Sequence, residues 1–314
     1  MRGSGSFMRE LVTRTGRQRA VFILTILIFS YGILSINIES VSAQEDSEVG
    51  WAVIMEMLEY PEGWNDIPTE HADSKKWNNT LHALGWDSDH IRILHEEITF
   101  GRIVDEFQWL EENTDENDAV VFFVFAHGSW MRNIIGDGID IGAAWEDIPS
   151  NKKLMVFSTC HAGEFVTGIP GDDPQVRIGS VQRDELAWAG IPEEDLPIIG
   201  EVFNHFFTSA LLNATADTND DGDVSVEEAF YLASPNTQEY LQNTVFPAFP
   251  DYAEICNNSV PEPVILDMYG GDLSLAWNEI ESESANPYPI ILVSIMFATL
   301  VIILVYRHRR ERIG

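Results

Sequence analysis

Runs of consecutive apolar residues recur through the middle of the chain and predict buried strands. The longest run, at residues 119–126, reads AVVFFVFA and contains no polar residue. The other candidate strands are residues 51–55, 91–94, 153–158, 176–181 and 264–268. Strands that are apolar on both faces are typical of a parallel sheet that is covered by helices on each side.

Apolar residues at helical spacing lie between these runs and predict the helices that cover the sheet. The candidate helices are residues 71–84, 103–110, 198–213 and 226–233. After Pro247 we expect a loop-like chain, except for the last strand. Strands that alternate with helices in this way indicate an α/β fold, a three-layer sandwich with a mainly parallel sheet.

Two longer apolar stretches, residues 20–38 and 290–306, lie outside this alternating region. Each is near the roughly 20 residues that a helix needs to cross a bilayer. Arginines precede the first stretch and follow the second, and basic flanks favour the cytoplasmic side. We therefore expect a signal peptide or N-terminal membrane anchor at residues 1–43, an extracytoplasmic or lumenal domain at 44–286, and a C-terminal transmembrane helix with a short basic cytoplasmic tail at 287–314.

Export affects the interpretation of several smaller features. Val41, Ser42 and Ala43 form the small-residue pattern of a signal-peptidase site. The first apolar stretch is therefore either a signal peptide that is cleaved after Ala43 or an uncleaved anchor. The two cysteines, Cys160 and Cys256, could in principle form a bridge, although a domain of this size needs no disulfide framework. Three sequons would accept N-linked glycans in an organism that glycosylates exported proteins: Asn78, Asn213 and Asn257.

The net charge of −33 is concentrated in the middle of the chain. Residues 1–43 and 287–314 each carry a net charge of +3, so residues 44–286 carry −39. Such a surface repels nucleic-acid phosphates, so we expect no nucleic-acid partner. Solubility is the simplest interpretation of this charge, and selection for a basic substrate is the alternative.

Two residues with nucleophilic and acid–base chemistry follow successive predicted strands. His127 and Gly128 come directly after the run 119–126, and Cys160 comes directly after residues 153–159. Because ligands bind at the carboxyl ends of parallel strands, we expect His127 and Cys160 to lie close together. An imidazole near a thiol helps it to form the reactive thiolate. The backbone N–H groups of Gly128 and Cys160 could then stabilise an oxyanion.

The two motifs resemble those of a known family. The segments VFFVFAHGSW and LMVFSTCHAGEF resemble the active-site strands of the legumain-like cysteine peptidases, which have the caspase-type fold and include legumain and the catalytic subunit of the glycosylphosphatidylinositol transamidase. Residues 159–162 are most similar to the transamidase branch. The resemblance implies that Cys160 forms a thioester with the substrate and that His127 protonates the leaving amine.

The resemblance extends to other site residues over most of residues 51–233. Trp64 and Asn65, together with residues 71–73, are similar to the family loop that follows the first strand and carries an assisting asparagine and pocket residues, which implies the assisting role for Asn65. Residues 180–188 resemble the substrate-pocket strand. That similarity implies a pocket with acidic character, which would favour a basic or amide P1 residue and would contain Ser180, Asp184 and Glu185.

Residues 217–228 read DTNDDGDVSVEE and match the calcium-binding loop of an EF-hand. A glycine, Gly222, occupies the sixth position, where the loop turns sharply. The segment also lies between two predicted helices, so we expect a bound structural Ca²⁺. The expected ligands are Asp217, Asn219, Asp221, Asp223 through its backbone carbonyl, Ser225 and Glu228.

Three functions are compatible with these features. The first is a membrane-anchored cysteine endopeptidase that acts on a peptide or protein substrate. The second is a transamidase or ligase of the same fold, which would need complex partners and an amine acceptor. The third belongs to another class, a non-catalytic surface binding module stabilised by calcium.

Overall fold

The computed structural model describes residues 48–95 and 97–277. The predicted segments 1–43 and 287–314, with both candidate membrane spans, lie outside the described residues. Within the described part of the chain, no helix is long and apolar enough to cross a membrane.

A six-stranded sheet forms the centre of the domain, with the strand order β2-β1-β3-β4-β5-β8. All neighbouring pairs are parallel except β5 and β8, which are antiparallel, so the expectation of a mainly parallel sheet is confirmed. The strands are β1 (Gly50–Glu56), β2 (Ile91–Leu94), β3 (Ala119–Phe125), β4 (Lys152–Ser158), β5 (Gln175–Gly179) and β8 (Val264–Asp267), and a separate short hairpin contains β6 (Ala189–Gly190) and β7 (Gly200–Glu201).

Helices connect the strands and cover the sheet. They are α1 (Ala72–Ala83), α2 (Phe100–Asn113), α3 (Gly128–Ile135), α4 (Ile139–Glu146), α5 (Gly163–Gly168), α6 (Val202–Ala210), α7 (Val226–Tyr240), α8 (Phe246–Ala248) and α9 (Pro250–Ile255). A π-helical turn, Leu241–Val245, joins α7 to α8.

The sheet is buried on both faces because alternate strand residues belong to two different hydrophobic clusters. On one face, Phe123 packs against Trp77 of α1, with ring centroids 5.4 Å apart. On the other face, Phe122 packs against Phe107 of α2 at 4.9 Å, and Trp145 of α4 completes the contact. The domain is therefore a helix–sheet–helix sandwich, and the continuous apolar runs of its strands follow from that burial.

Three parallel strands end at the same level of the sheet. Glu56 at the end of β1 is in register with Phe125 of β3, and Phe125 is in register with Ser158 of β4. The loops that follow these strands therefore emerge side by side at one edge.

Helix boundaries differ from expectation at the C-terminal side of the domain. Helix α6 begins at Val202 and not at 198, because Glu201 caps it and the preceding residues form the β6–β7 hairpin. Helix α7 continues to Tyr240 through Pro235, which is exposed. The expectation of a loop-like chain after Pro247 is wrong for Pro250–Ile255, where proline occupies the first helical position and loses no helical hydrogen bond there.

Candidate active site

His127 and Cys160 follow the ends of two neighbouring parallel strands. Strands β3 and β4 are parallel and pair Phe125 with Ser158. His127 follows Phe125 by two positions, and Cys160 follows Ser158 by two positions. Both side chains are half-buried. The sheet thus brings the two candidate catalytic residues together at its carboxyl edge, where ligands bind in α/β proteins.

Gly128 allows this close approach. It is the first residue of α3, where a backbone N–H has no partner within the helix. A Cβ atom at this position would overlap the carbonyl oxygen of Cys160 and would lie 3.2 Å from the Cys160 Cβ. The absence of a side chain at Gly128 is therefore a steric requirement for the approach of the two strand ends.

A backbone carbonyl orients the imidazole of His127. The Nε2 atom of His127 lies 2.8 Å from the carbonyl oxygen of Asn65. Because a carbonyl oxygen can only accept, Nε2 carries the proton and Nδ1 keeps its lone pair. Asn65 does contact His127, but through its main chain, while the residue itself is exposed.

Aromatic residues surround the histidine. The backbone N–H of His127 donates to the Tyr60 hydroxyl at 2.8 Å, and that hydroxyl donates to the carbonyl of Met57 at 3.0 Å. Burial raises the pKa of Tyr60, so its hydroxyl stays protonated. The rings of Trp64 and Trp130 meet edge to face at 5.3 Å beside the same site. These contacts hold the loop after β1 against the histidine.

The Cys160 thiol lies in an environment that disfavours its ionisation. Burial raises the pKa of Cys160. Its Sγ donates a long hydrogen bond to the Ala187 carbonyl at 3.9 Å. Cys160 and Cys256 are both free thiols. A nucleophilic role for Cys160 therefore requires a nearby base, and His127 is the candidate at the end of the neighbouring strand.

The three predicted pocket residues have different environments. Ser180 is 1% exposed, and its hydroxyl donates to the carbonyl of Thr159 at 3.2 Å. Asp184 is exposed on the segment after β5. The carboxylate of Glu185 accepts backbone N–H groups from Gln182 at 3.1 Å and Glu262 at 2.7 Å. Ser180 and Glu185 thus brace the backbone around Cys160, and of the three only Asp184 is exposed.

A buried carboxyl pair behind Cys160 escaped the sequence analysis. Glu201 is 2% exposed, caps α6 and accepts the hydroxyl of Ser158 at 3.1 Å, which ties the end of β4 to that helix. Its neighbour Asp73 accepts the backbone N–H of Glu201 at 3.0 Å. Burial raises the pKa of Glu201 to about 8 and that of Asp73 to about 6. Glutamate is not among the residue types that are typical of an N-cap, so no sequence pattern pointed to this pair.

The segment 217–228 connects α6 and α7 and folds into tight turns. Gly222 has a φ of +95°, and its N–H donates to Asp217 at 3.0 Å. The side chain of Asn219 accepts the N–H of Asp221 at 2.9 Å, and Asp221 accepts that of Asp223 at 3.0 Å. Such side-chain to backbone bonds are Asx turns, which stabilise tight turns in general.

The donor set of this loop suits Ca²⁺. One oxygen of Asp217, Oδ1, is buried and has no hydrogen-bond partner among the described residues. Burial opposes ionisation of Glu228, but hydrogen bonds from Ser225 and Thr218 prevail and lower its pKa to about 2. The loop carboxylates do not form a set of three whose oxygens lie within 4.8 Å of one another in the described chain, so an ion would have to draw them inward.

Comparisons with known proteins identify the fold. No protein-family model matches the chain, and no curated protein matches its sequence. Solved structures do match, among them the crystal structure of caspase-1 from Spodoptera frugiperda. That match has a TM-score of 0.51 at 13% identity and covers 74% of this chain and 92% of that chain. At this level of identity the likeness establishes the architecture, and the chain therefore has a caspase-like fold.

Proposed function

We propose that this protein is a cysteine peptidase whose catalytic residues are Cys160 and His127. The observation that carries the proposal is the register of β3 and β4, whose last pair, Phe125 and Ser158, lies two positions before His127 and Cys160. The hydrogen bond from His127 Nε2 to the Asn65 carbonyl supports it, because it leaves Nδ1 free to accept a proton.

The proposed reaction begins with transfer of the Cys160 thiol proton to His127 Nδ1. The thiolate attacks the carbonyl carbon of a peptide bond, and the N–H groups of Gly128 and Cys160 stabilise the oxyanion. His127 then gives its proton to the leaving nitrogen, the C–N bond breaks and a thioester forms. Water attacks the thioester while His127 accepts its proton, the C–S bond breaks, and the acid is released as His127 returns the proton to the Cys160 sulfur.

Membership of the legumain-like branch is part of the proposal. It is supported by the His-Gly motif at 127–128 and by the sequence TCHA at 159–162. The apolar stretches 20–38 and 290–306 support anchoring in a membrane with the catalytic domain outside the cytoplasm. In a transamidase of this branch, an amine would replace water in the second step.

Peptide turnover by the full chain tests the proposal. A mixture of fluorogenic peptides that differ at P1 is incubated with the wild type and with Cys160→Ala, and the products are identified by mass spectrometry with and without a primary amine. We expect cleavage only by the wild type. A peptide–amine adduct would assign acyl transfer, and equal turnover by Cys160→Ala would refute the mechanism. A folded wild type without any acyl chemistry would favour a binding module.

We also propose a structural Ca²⁺ in segment 217–228. Its ligands would be Asp217, Asn219, Asp221, Ser225 and Glu228, together with the backbone carbonyl of Asp223. When bound, the ion would supply positive charge to an acidic loop and join the start of the segment to the first turn of α7. The buried, unpartnered Oδ1 of Asp217 is the observation that supports this assignment.

Thermal denaturation with added Ca²⁺ or a chelator tests the calcium site. We expect Ca²⁺ to raise the Tm of the wild type and to leave the Tm of Glu228→Gln unchanged. Asp220→Asn is the matched control, because it removes one negative charge from the fourth loop position, which supplies no ligand. An equal loss in both variants would indicate general charge screening and would overturn the site.

A further inference from the structure

A second cluster of metal-binding side chains lies at the same edge of the sheet. Glu56 is the last residue of β1, His71 immediately precedes α1, and His95 immediately follows β2. Because Met55 pairs with Leu94 in the parallel register, Glu56 and His95 follow at the same level. The fold therefore brings together one carboxylate and two imidazoles from segments that are distant in sequence.

The separations of the donor atoms approach those around a bound metal ion. Glu56 Oε2 lies 3.6 Å from His71 Nδ1 and 3.9 Å from His95 Nε2, and the three donor atoms all lie within 4.8 Å of one another. Ligands at the usual zinc bond lengths of about 2.0–2.1 Å are roughly 3.4 Å apart at a tetrahedral centre. The rings of His71 and His95 are stacked, with centroids 3.7 Å apart and planes 18° apart, so one imidazole would have to turn for both nitrogens to reach one ion.

One nitrogen atom of the cluster has no hydrogen bond and is therefore available to a metal ion. His71 Nδ1 is buried and has no hydrogen-bond partner among the described residues. Glu56 is fully buried, and it accepts the N–H groups of Ser74 at 3.1 Å and Asp73 at 3.4 Å, which fix its orientation. Such outer hydrogen bonds hold a metal-binding carboxylate in place.

We propose that Glu56, His71 and His95 bind one divalent transition-metal ion, with Zn²⁺ as the best match. Two imidazoles and one carboxylate form a common protein ligand set for zinc, with water in the fourth position. The side chain of His95 is 40% exposed, which leaves an entrance for the ion and room for that water. Binding would replace the 2.9 Å contact between His95 Nε2 and the Ser74 hydroxyl.

A metal ion at this site would stabilise the loop that contacts His127. Glu56 and His71 are the two ends of the loop 57–70, and this loop contains the residues that contact His127, namely Tyr60, Trp64 and Asn65. An ion that joins Glu56 to His71 would close the loop at its base. Zinc should therefore protect residues 57–70 from backbone hydrogen exchange.

Zinc binding is measured by calorimetry on the full chain that carries Cys160→Ala, which removes the catalytic thiol as a competing ligand. We expect one ion per chain and at least about tenfold weaker binding in His71→Gln and in His95→Gln, because loss even of a residue that only supports a ligand costs about 10–100-fold in affinity. His82→Gln is the matched control, since His82 is exposed at the other end of α1. Its affinity should equal that of the parent.

Cobalt absorption and hydrogen exchange complete the test. Replacement of Zn²⁺ by Co²⁺ should give visible bands of a nitrogen and oxygen environment without a thiolate charge-transfer band, and zinc should slow exchange in loop 57–70. Equal zinc affinities in His71→Gln, His95→Gln and the control His82→Gln would overturn the proposal. A thiolate band would also overturn it, because it would assign the metal to Cys256.

Discussion

The substitution Gly128→Ala perturbs the contact on which the proposed catalytic pair depends. An added Cβ would lie 2.7 Å from the carbonyl carbon of Cys160, whereas real Cβ contacts essentially never fall below 3.0 Å. The neighbouring atom is rigid backbone, so the two strand ends must separate. His127 and Cys160 lie immediately beside these atoms and must move with them.

The expected cost follows from that separation. A misplacement of about 1 Å can lower catalytic efficiency by about 10²-fold, which corresponds to about 2.7 kcal/mol of transition-state stabilisation. Overpacking should also lower the free energy of unfolding by about 1–3 kcal/mol. We expect Gly128→Ala to fold, to melt at a lower temperature and to lose most of its kcat/KM on a cleaved peptide.

The matched control is Gly101→Ala in α2. Gly101 is the second residue of the helix, a Cβ there would meet no atom within 4 Å, and alanine is a better helix former than glycine. We expect this variant to be slightly more stable than the wild type and fully active. Wild-type kcat/KM in Gly128→Ala would refute the reasoning, because it would show that the contact between Gly128 and Cys160 has no role in catalysis.

Three further substitutions test the surroundings of the site. Asn65→Ala should keep most of the activity, because the backbone carbonyl makes the contact to His127; a loss as large as that of His127→Ala would assign the role to the Asn65 side chain. Tyr60→Phe leaves the N–H of His127 and the carbonyl of Met57 without their partner, and urea denaturation should show a loss of about 1–3 kcal/mol; an unchanged midpoint would contradict the buried contact. Burial raises the pKa of Glu201 in the folded state from 4.5 to about 8. Its protonated form therefore contributes its full stabilisation below about pH 4.5, and this contribution is lost as the pH rises through about 8. Glu201→Gln should flatten this decline in urea denaturation between pH 5 and 8, and an equal decline in both proteins would argue against a buried, protonated Glu201.

The sheet was the most predictable part of the fold. β3 and β4 are apolar on both faces because helices cover both sides, and this burial produces continuous apolar runs that are visible in the sequence. The helices between 128 and 146 were not predicted. They are short, and Gly136 and Gly138, both with positive φ, separate them, so no extended helical periodicity exists in this region.

Some features of the candidate site were also predictable from the sequence, and others were not. The placement of His127 and Cys160 at strand ends was predictable, because parallel strands carry the residues that follow them to one edge. The contact from Asn65 was not predictable in its observed form, since every residue has a carbonyl group. The pairing of Glu56 with His71 and His95 depends on register and loop closure, which the sequence pattern does not contain.

Covalent labelling of Cys160 by a peptidyl acyloxymethyl ketone tests the central claim most directly. The probe is applied to the full chain, and the modified residue is identified by mass spectrometry in the wild type and in His127→Ala. We predict one adduct, on Cys160 and not on Cys256, with a rate that falls strongly in His127→Ala. Modification of both cysteines at similar rates, or an unchanged rate in His127→Ala, would contradict a catalytic pair formed by these two residues.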